Sequence, residues 1–237
     1  MRKWEDLPKE LQLEEVRPYY DILKKKEVEL YFKRVFDIVV SLLMLIILSP
    51  VFLILAVAIK VDSEGPVFFR QTRVTQYCKE FKIHKFRSMC DGADRKGTLV
   101  TVSRDSRVTK VGKFIRKCRL DEVSQLIDVL QGNMSFVGTR PEVSKYVAAY
   151  TPEMMATLLL PAGITNEACI NFKDEADLLD DVEDADKVYI EEVLPMKMQW
   201  NLLGIKGYGF WQEIWTMFRT FFAVIGVVKP KELKENA

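Results

Sequence analysis

Histidine is nearly absent from this sequence: His84 is the single one among 237 residues. The four cysteines, Cys78, Cys90, Cys118 and Cys169, lie far apart and form no C-x-x-C pair. Structural zinc needs four such ligands at close spacing, so the two deficits argue against a zinc site. Scattered thiols instead suit a reducing compartment. An excess of one charge is missing too. The formal net charge is +1, and it says nothing of partners because the charges are segregated along the chain. No internal repeat and no low-complexity stretch is visible. What remains is a chain that is 49% hydrophobic, able to bury a core and of a length for one domain with or without an appendage.

One stretch lacks charge altogether: "IVVSLLMLIILSPVFLILAVAI", Ile38 to Ile59. As a helix it would be about 33 Å long, close to the hydrocarbon thickness of a bilayer. It starts well inside the chain, after a charged, proline-containing segment, and no small-residue cleavage pattern follows it, which is unlike a signal peptide. Ser49 and Pro50 sit near its middle. Proline removes an amide donor and crowds the carbonyl of Ile46, so a bend is expected there. On the residues alone two readings stay open. Hydropathy favours a spanning helix with a proline kink; the other is a re-entrant hairpin that leaves the bilayer by the face it entered. Lys24, Lys25, Lys26, Lys33 and Arg34 precede the run, and Lys60, Arg70 and Arg73 follow it. Positive charge on both sides gives no orientation, and two cytoplasmic ends would suit the hairpin. Asp37 is expected at headgroup level, paired with Arg34.

Beyond the apolar run, "GPVFFRQTRV" and "KEFKIHKFRSM" read as two strands of a β-hairpin turning near Gln76 and Tyr77. "TLVTVSRDSRVTKVG", residues 98–112, reads as a further strand and a turn, and "KFIRKC" begins a helix. Val123, Leu126, Ile127 and Leu130 recur at helical spacing, with Gly132 as terminator. Asp121 and Glu122 of "RLDEVSQL" therefore fall at a helix N-terminus, where the macrodipole favours ionised carboxylates. Residues 173–193 are strongly acidic and read as a solvated helix or loop. In residues 208–228, Trp211, Trp215, Phe218 and Phe222 recur at helical spacing with Gln212, Glu213, Thr216 and Arg219 between them. That suits a core helix or, the preferred reading, a helix in the headgroup region.

From Lys79 to Arg119 cations far outnumber acids. Such a run serves as a solvated face or one resting on anionic lipid. It also serves to bind phosphates, if a few Lys and Arg converge near the carboxylate pair. A nucleic-acid groove is not expected, because no recognition-helix, zinc-finger or aromatic RNA-binding signature accompanies the charges.

At residues 33–142 the sequence resembles the bacterial monotopic phosphoglycosyl transferases, the bacterial sugar transferases. The resemblance rests on "KRVFDIVVSLLMLIILSPVFLILAVAIKVDSEGPVFFRQTRV", "KFRSM" and "VTKVGKFIRKCRLDEVSQLIDVLQGNMSFVGTRPE", in consistent order and spacing. It implies transfer of a phosphosugar from a UDP-sugar to polyprenyl (undecaprenyl) phosphate, with release of UMP, as the first step of capsule, exopolysaccharide, O-antigen or glycoprotein glycan synthesis. It implies Asp121 as nucleophile, forming an aspartyl-phosphosugar. Glu122 and Asp121 would hold Mg²⁺, and Lys85, Arg116 and Arg140 would bind the donor phosphates. Arg70, Gln71 and Arg73 also fit the pattern, with a structural role expected. The resemblance further implies a re-entrant helix broken at Ser49 and Pro50, on the cytoplasmic face of the bacterial inner membrane.

Departures from the family pattern accompany the match. The family usually has "SLDELPQL" and "VGPRP", so two prolines are replaced here by Ser124 and Thr139, and looser positioning is expected. After Pro141 the match fades, with Pro161 and Asn166 where the usual "RPGITG" has an arginine and a glycine.

The expected architecture is α+β and mainly helical. Residues 1–32 form an N-terminal surface segment or an oligomer contact, a homodimer being one use of it. Residues 33–60 form the re-entrant membrane helix, and 61–237 a cytoplasmic catalytic domain with a β-hairpin and interfacial amphipathic helices. Two competitors remain. A membrane-anchored adaptor would bind lipid or nucleic acid through its basic face, with the dyad only a helix cap. A glycosyl transferase moving the sugar without its phosphate would release UDP.

Overall fold

The structure, a computed structural model, describes residues 1–93, 105–172, 184–224 and 226–227. Alternating apolar and polar residues build the expected hairpin: β1 (Phe68–Val74) pairs antiparallel with β2 (Glu80–Phe86), in register from Phe68↔Phe86 to Val74↔Glu80. The connecting turn carries Tyr77 and Cys78 at positive φ. The strand expected over 98–112 falls partly outside the described residues; from it Val108 makes a single bridge to Met89. A second pair was hidden in the sequence. β3 (Met134–Val137) lies parallel to β4 (Ala162–Thr165). A Cβ on Gly163 would collide with the backbone of Gly138, so glycine lets these chain segments approach.

Helices make up most of the rest: α1 (Arg17–Lys25), α2 (Glu27–Asp62), α3 (Lys110–Lys117), α4 (Leu126–Gln131), α5 (Ser144–Val147) and α6 (Glu167–Asn171). A short α7 (Ala185–Val188) runs through a π turn, Tyr189–Val193, into α8 (Leu194–Lys206), and α9 (Phe210–Val224) follows. The described part of the acidic segment is not wholly solvated, because Ala185, Tyr189 and Val193 are buried with Tyr146 and Met198. The N-terminal segment likewise does more than lie on the surface. Leu7, Leu11, Val16, Tyr19, Tyr20 and Leu23 share a core with Leu158, Leu159, Leu202 and Ile205.

α2 is one 36-residue helix that continues through Pro50 instead of breaking there. Proline denies the carbonyl of Ile46 its usual amide partner. The Ser49 hydroxyl donates to that carbonyl at 2.8 Å, so the helix runs on with no orphaned acceptor at this point. Asp37 pairs with Lys33 at 3.8 Å and not with Arg34. Arg34 is spent elsewhere, donating to the carbonyls of Val129 (2.6 Å) and Leu130 (2.9 Å) near the end of α4. A guanidinium there satisfies acceptors that the helix itself leaves open.

Both halves of α2 pack on the same body. Phe36, Val40, Met44, Leu45 and Leu48 lie against Phe81, Ile83, Leu126, Val129 and Met134. Val51, Phe52, Leu55 and Ile59 lie against Phe86 and Ile115. The opposite face, including Leu43, Ile46, Ile47, Leu53 and Ile54, is exposed.

α9 is turned the opposite way from a helix of a water-soluble protein. Its inner face is polar: Arg219 pairs with Glu167, Thr220 Oγ1 meets Thr165 Oγ1 at 2.7 Å, and Glu213 pairs with Lys33 at 2.7 Å. Its outer face carries Trp211, Trp215, Phe218, Phe221 and Phe222, with Trp211 79% exposed.

Candidate active site

The approach to the carboxylate pair is built from local signals. The Thr109 side chain caps α3, accepting from the Gly112 amide at 3.0 Å. After α3 the chain reverses at Arg119, which is left-handed at φ 55° and ψ 23°. A non-glycine residue pays about 1–2 kcal/mol for that conformation, and strain of this kind clusters at functional sites. The reversal leads straight into a 3₁₀ turn, Leu120–Gln125, that carries Asp121 and Glu122. The dyad thus sits on the turn that precedes α4, and not in an α-helix; Gly132, at φ 84°, ends α4 as its spacing predicts.

Glu122 is clamped. Its Oε1 accepts from Lys85 Nζ of β2 at 3.0 Å and also from Arg140 Nη2, while Arg140 Nη1 lies 3.4 Å from Oε2. Burial opposes a charge on Glu122, but Arg140 and Lys85 outweigh it and hold the carboxyl well below the usual carboxylate range. Burial likewise lowers the Lys85 ammonium, against the pull of Glu122.

Asp121 is the contrast. Among the described residues its carboxylate makes no hydrogen bond and no ion pair. Burial, then the adjacent negative charge of Glu122, push its carboxyl above the ordinary aspartate value, while Lys85, Arg116 and Arg140 pull the other way. The sequence-predicted residues therefore converge: Lys85, Glu122 and Arg140 by contact, Arg116 of α3 through its field on Asp121. Ser49 and Pro50 belong to α2 and not to this cluster.

Arg73 braces the hairpin against the chain that follows β3. It donates to the Pro141 carbonyl at 3.0 Å and to Gln71 Oε1 at 2.7 Å, and stands 3.7 Å from Glu142. That ties β1 to the segment bearing Arg140. Ser124, in place of a proline, is fully buried and donates to the His84 carbonyl at 3.1 Å. The dyad turn is thereby bonded to β2, beside Lys85.

Residues 28–227 match the bacterial sugar transferase family. The chain belongs to that family. Among curated relatives of this chain, a UDP-glucose:undecaprenyl-phosphate glucose-1-phosphate transferase of Klebsiella pneumoniae is 37% identical over 199 residues, 82% of this chain and 40% of the relative. A UDP-N-acetylgalactosamine-undecaprenyl-phosphate N-acetylgalactosaminephosphotransferase of Aeromonas hydrophila is 34% identical over 198 residues, 82% of this chain and 44% of the relative. An exopolysaccharide production protein of Rhizobium leguminosarum is 48% identical over 113 residues, 47% of this chain and 56% of the relative. The chain thus spans less than half the length of the first two.

A magnesium ion, which the resemblance implies, would find hard oxygen donors in Asp121 and Glu122. No cluster of three or more potential protein ligands occurs among the described residues. Mg²⁺ does not need one, since it keeps several waters and takes substrate phosphate oxygens beside one or two carboxylates. The fit is through Asp121, whose carboxylate is uncommitted; the oxygens of Glu122 already serve Lys85 and Arg140.

Sequence reasoning missed Asp128, a wholly buried acid on α4. The signal was present in "QLIDVL": a charged residue set among helical core positions needs buried partners of its own.

Proposed function

We propose that this chain moves a sugar 1-phosphate from a UDP-sugar to undecaprenyl or a related polyprenyl phosphate and releases UMP, opening the synthesis of a bacterial glycan. The observation that carries the reading is the asymmetry of the dyad: Glu122 clamped by Lys85 and Arg140, Asp121 bare in the field of the same cations. An Asp121 oxygen attacks the sugar-bearing phosphorus of the donor, and the bond from that phosphorus to the bridging oxygen breaks, with UMP leaving on that oxygen. The aspartyl-phosphosugar that results is an acyl phosphate. An oxygen of the polyprenyl phosphate attacks the same phosphorus, which frees the Asp121 carboxylate and yields a polyprenyl diphosphate sugar. Lys85, Arg116 and Arg140 compensate the negative charge gathered in both steps. Mg²⁺ held by Asp121, with Glu122 beside it, would neutralise charge on the departing nucleotide.

The same reading sets the protein on the cytoplasmic face of the inner membrane with both ends of α2 on one side. Its support is the packing: Phe36 to Leu48 and Val51 to Ile59 cover neighbouring patches of one body, including the single strand β2. A spanning helix would carry its two ends to opposite sides of the bilayer, where one small body does not reach. The outward tryptophans and phenylalanines of α9 supply an interfacial helix. In a chain stripped of other cysteines, native Cys90, which is exposed, and a Glu5→Cys substitution are expected to react with an impermeant maleimide from the same side of sealed vesicles. Reaction from opposite sides would restore the span.

The function is tested by supplying detergent-solubilised protein with Mg²⁺, undecaprenyl phosphate and a panel of UDP-sugars. UMP is the expected nucleotide. UDP in its place would indicate sugar transfer without phosphate, and no nucleotide from folded protein would favour the adaptor.

A further inference from the structure

We propose that Asp128 and His84 form a positioning pair that holds β2, and through it Lys85, in place against the dyad turn. The inference rests on the reading of Lys85 as a donor-phosphate group. Asp128 is 0% exposed in the first turn of α4. Both of its carboxylate oxygens are spent on one residue: Oδ2 accepts the His84 backbone amide at 2.8 Å, and Oδ1 lies 2.8 Å from His84 Nδ1. An ionised carboxylate only accepts, so Nδ1 carries the proton. From the other direction Ser124 Oγ donates to the His84 carbonyl. His84 is therefore gripped at its amide, its carbonyl and its ring by the two elements that carry and follow Asp121 and Glu122.

The grip falls one residue from Lys85. Neighbours on a strand project to opposite faces, so it fixes the strand while leaving the Lys85 face clear for Glu122 and the donor. Such a hold has a use that the Lys85–Glu122 ion pair cannot fill. Lys85 and Arg140 converge on one oxygen of Glu122, and an arriving diphosphate competes for both cations. Once Lys85 turns to the phosphate, its ion pair no longer joins β2 to the dyad turn. The bonds from Asp128 and Ser124 to His84 remain, and they keep the ammonium within reach of both partners.

The test is a cycle of variants read by UDP affinity, measured by calorimetry on the full-length protein in detergent, with melting temperature beside it. Asp128→Ala is expected to weaken UDP binding about tenfold, the scale of a lost charge-assisted hydrogen bond. Asp128→Asn should recover most of that loss: its oxygen can accept the amide while its NH₂ donates to Nδ1 of the other histidine tautomer. In a Lys85→Met background Asp128→Ala should weaken UDP binding no further, because the group it positions is gone. Ser124→Ala, a smaller change that spares the buried acid, should act in the same direction and also lose its effect in Lys85→Met. Equal losses in both backgrounds, tracking the melting temperature, would overturn the positioning role and reduce the pair to core structure. Failure of the functional reading looks different: wild type would release no UMP, while the dependence of UDP affinity on Asp128 through Lys85 would persist.

Discussion

Asp121→Asn is expected to end turnover and, at the same time, to make the protein harder to melt. The amide cannot form the acyl phosphate, so UMP release should fall by about three orders of magnitude or more, as when a covalent nucleophile is removed elsewhere. No phosphosugar adduct should appear on the intact-protein mass. The stability effect follows from the raised carboxyl of Asp121. A group whose folded pKa lies above its unfolded value contributes stability below the unfolded pKa and loses it as pH rises through the folded one. At neutral pH the ionised Asp121 is therefore a cost, set first by burial and then by Glu122. Asparagine removes it, and the melting temperature in detergent should rise by about 2–4 °C per 1 kcal/mol recovered. For the wild type the same shift sets the acid limb of the rate profile: UMP release should climb with pH through a value above that of an ordinary aspartate. A variant that is inactive yet no more stable than wild type would count against this account.

Arg140→Met should lower kcat/KM for the donor by about 10²–10³, the loss measured for one preorganised donor at a site of developing charge. Glu122 is left with Lys85 alone, while the burial that resists its charge stays. Its carboxyl should then climb from far below the usual range. A depressed carboxyl contributes stability above its unfolded pKa and loses it as pH falls through the folded value. Raising the folded value thus brings acid unfolding to higher pH, and a pH series of melting curves reads this directly. Arg140→Lys is not expected to rescue the rate, since an ammonium cannot engage both oxygens as the guanidinium fork does. If Arg140→Met left both kcat/KM and acid stability unchanged, Arg140 would be a surface charge and the clamp would carry no function.

Much of this was legible in the sequence where a pattern repeats over enough residues. The hairpin announced itself by β-branched and aromatic residues, and β1 and β2 fall within the stretches read as strands. The helix after the dyad was marked by Val123, Leu126, Ile127 and Leu130 with Gly132 beyond. β3 and β4 were not, because each is only four residues long, buried throughout in β3 and at all but Ile164 in β4, with no alternation to read. Nor was the partner of Asp37: Arg34 was expected, but packing against α4 commits Arg34 to the carbonyls there and leaves Asp37 to Lys33. At the site, the resemblance to the bacterial sugar transferases pointed to Asp121, Glu122, Lys85, Arg116 and Arg140. The clamp on Glu122, which leaves Asp121 bare, was invisible, since it arises from long-range contacts of β2 and of the segment after β3. Ser124 shows the same limit. As a lost proline it reads as slack, yet its hydroxyl ties the dyad turn to β2.

The packing of α2 also sets a problem of timing during synthesis. Its apolar surface is complete once Asp62 has been made, but α4, which covers its first half together with β2, begins at Leu126, roughly sixty residues later. At about 5–20 residues per second, that delay lasts several seconds. For that interval the nascent helix has lipid, or whatever shields it, in place of its own domain. The charged residues Lys33 and Arg34 wait through it as well, since Glu213, Val129 and Leu130 are still to be made. On the membrane placement proposed above, α2 meets the bilayer before the body that covers it has folded.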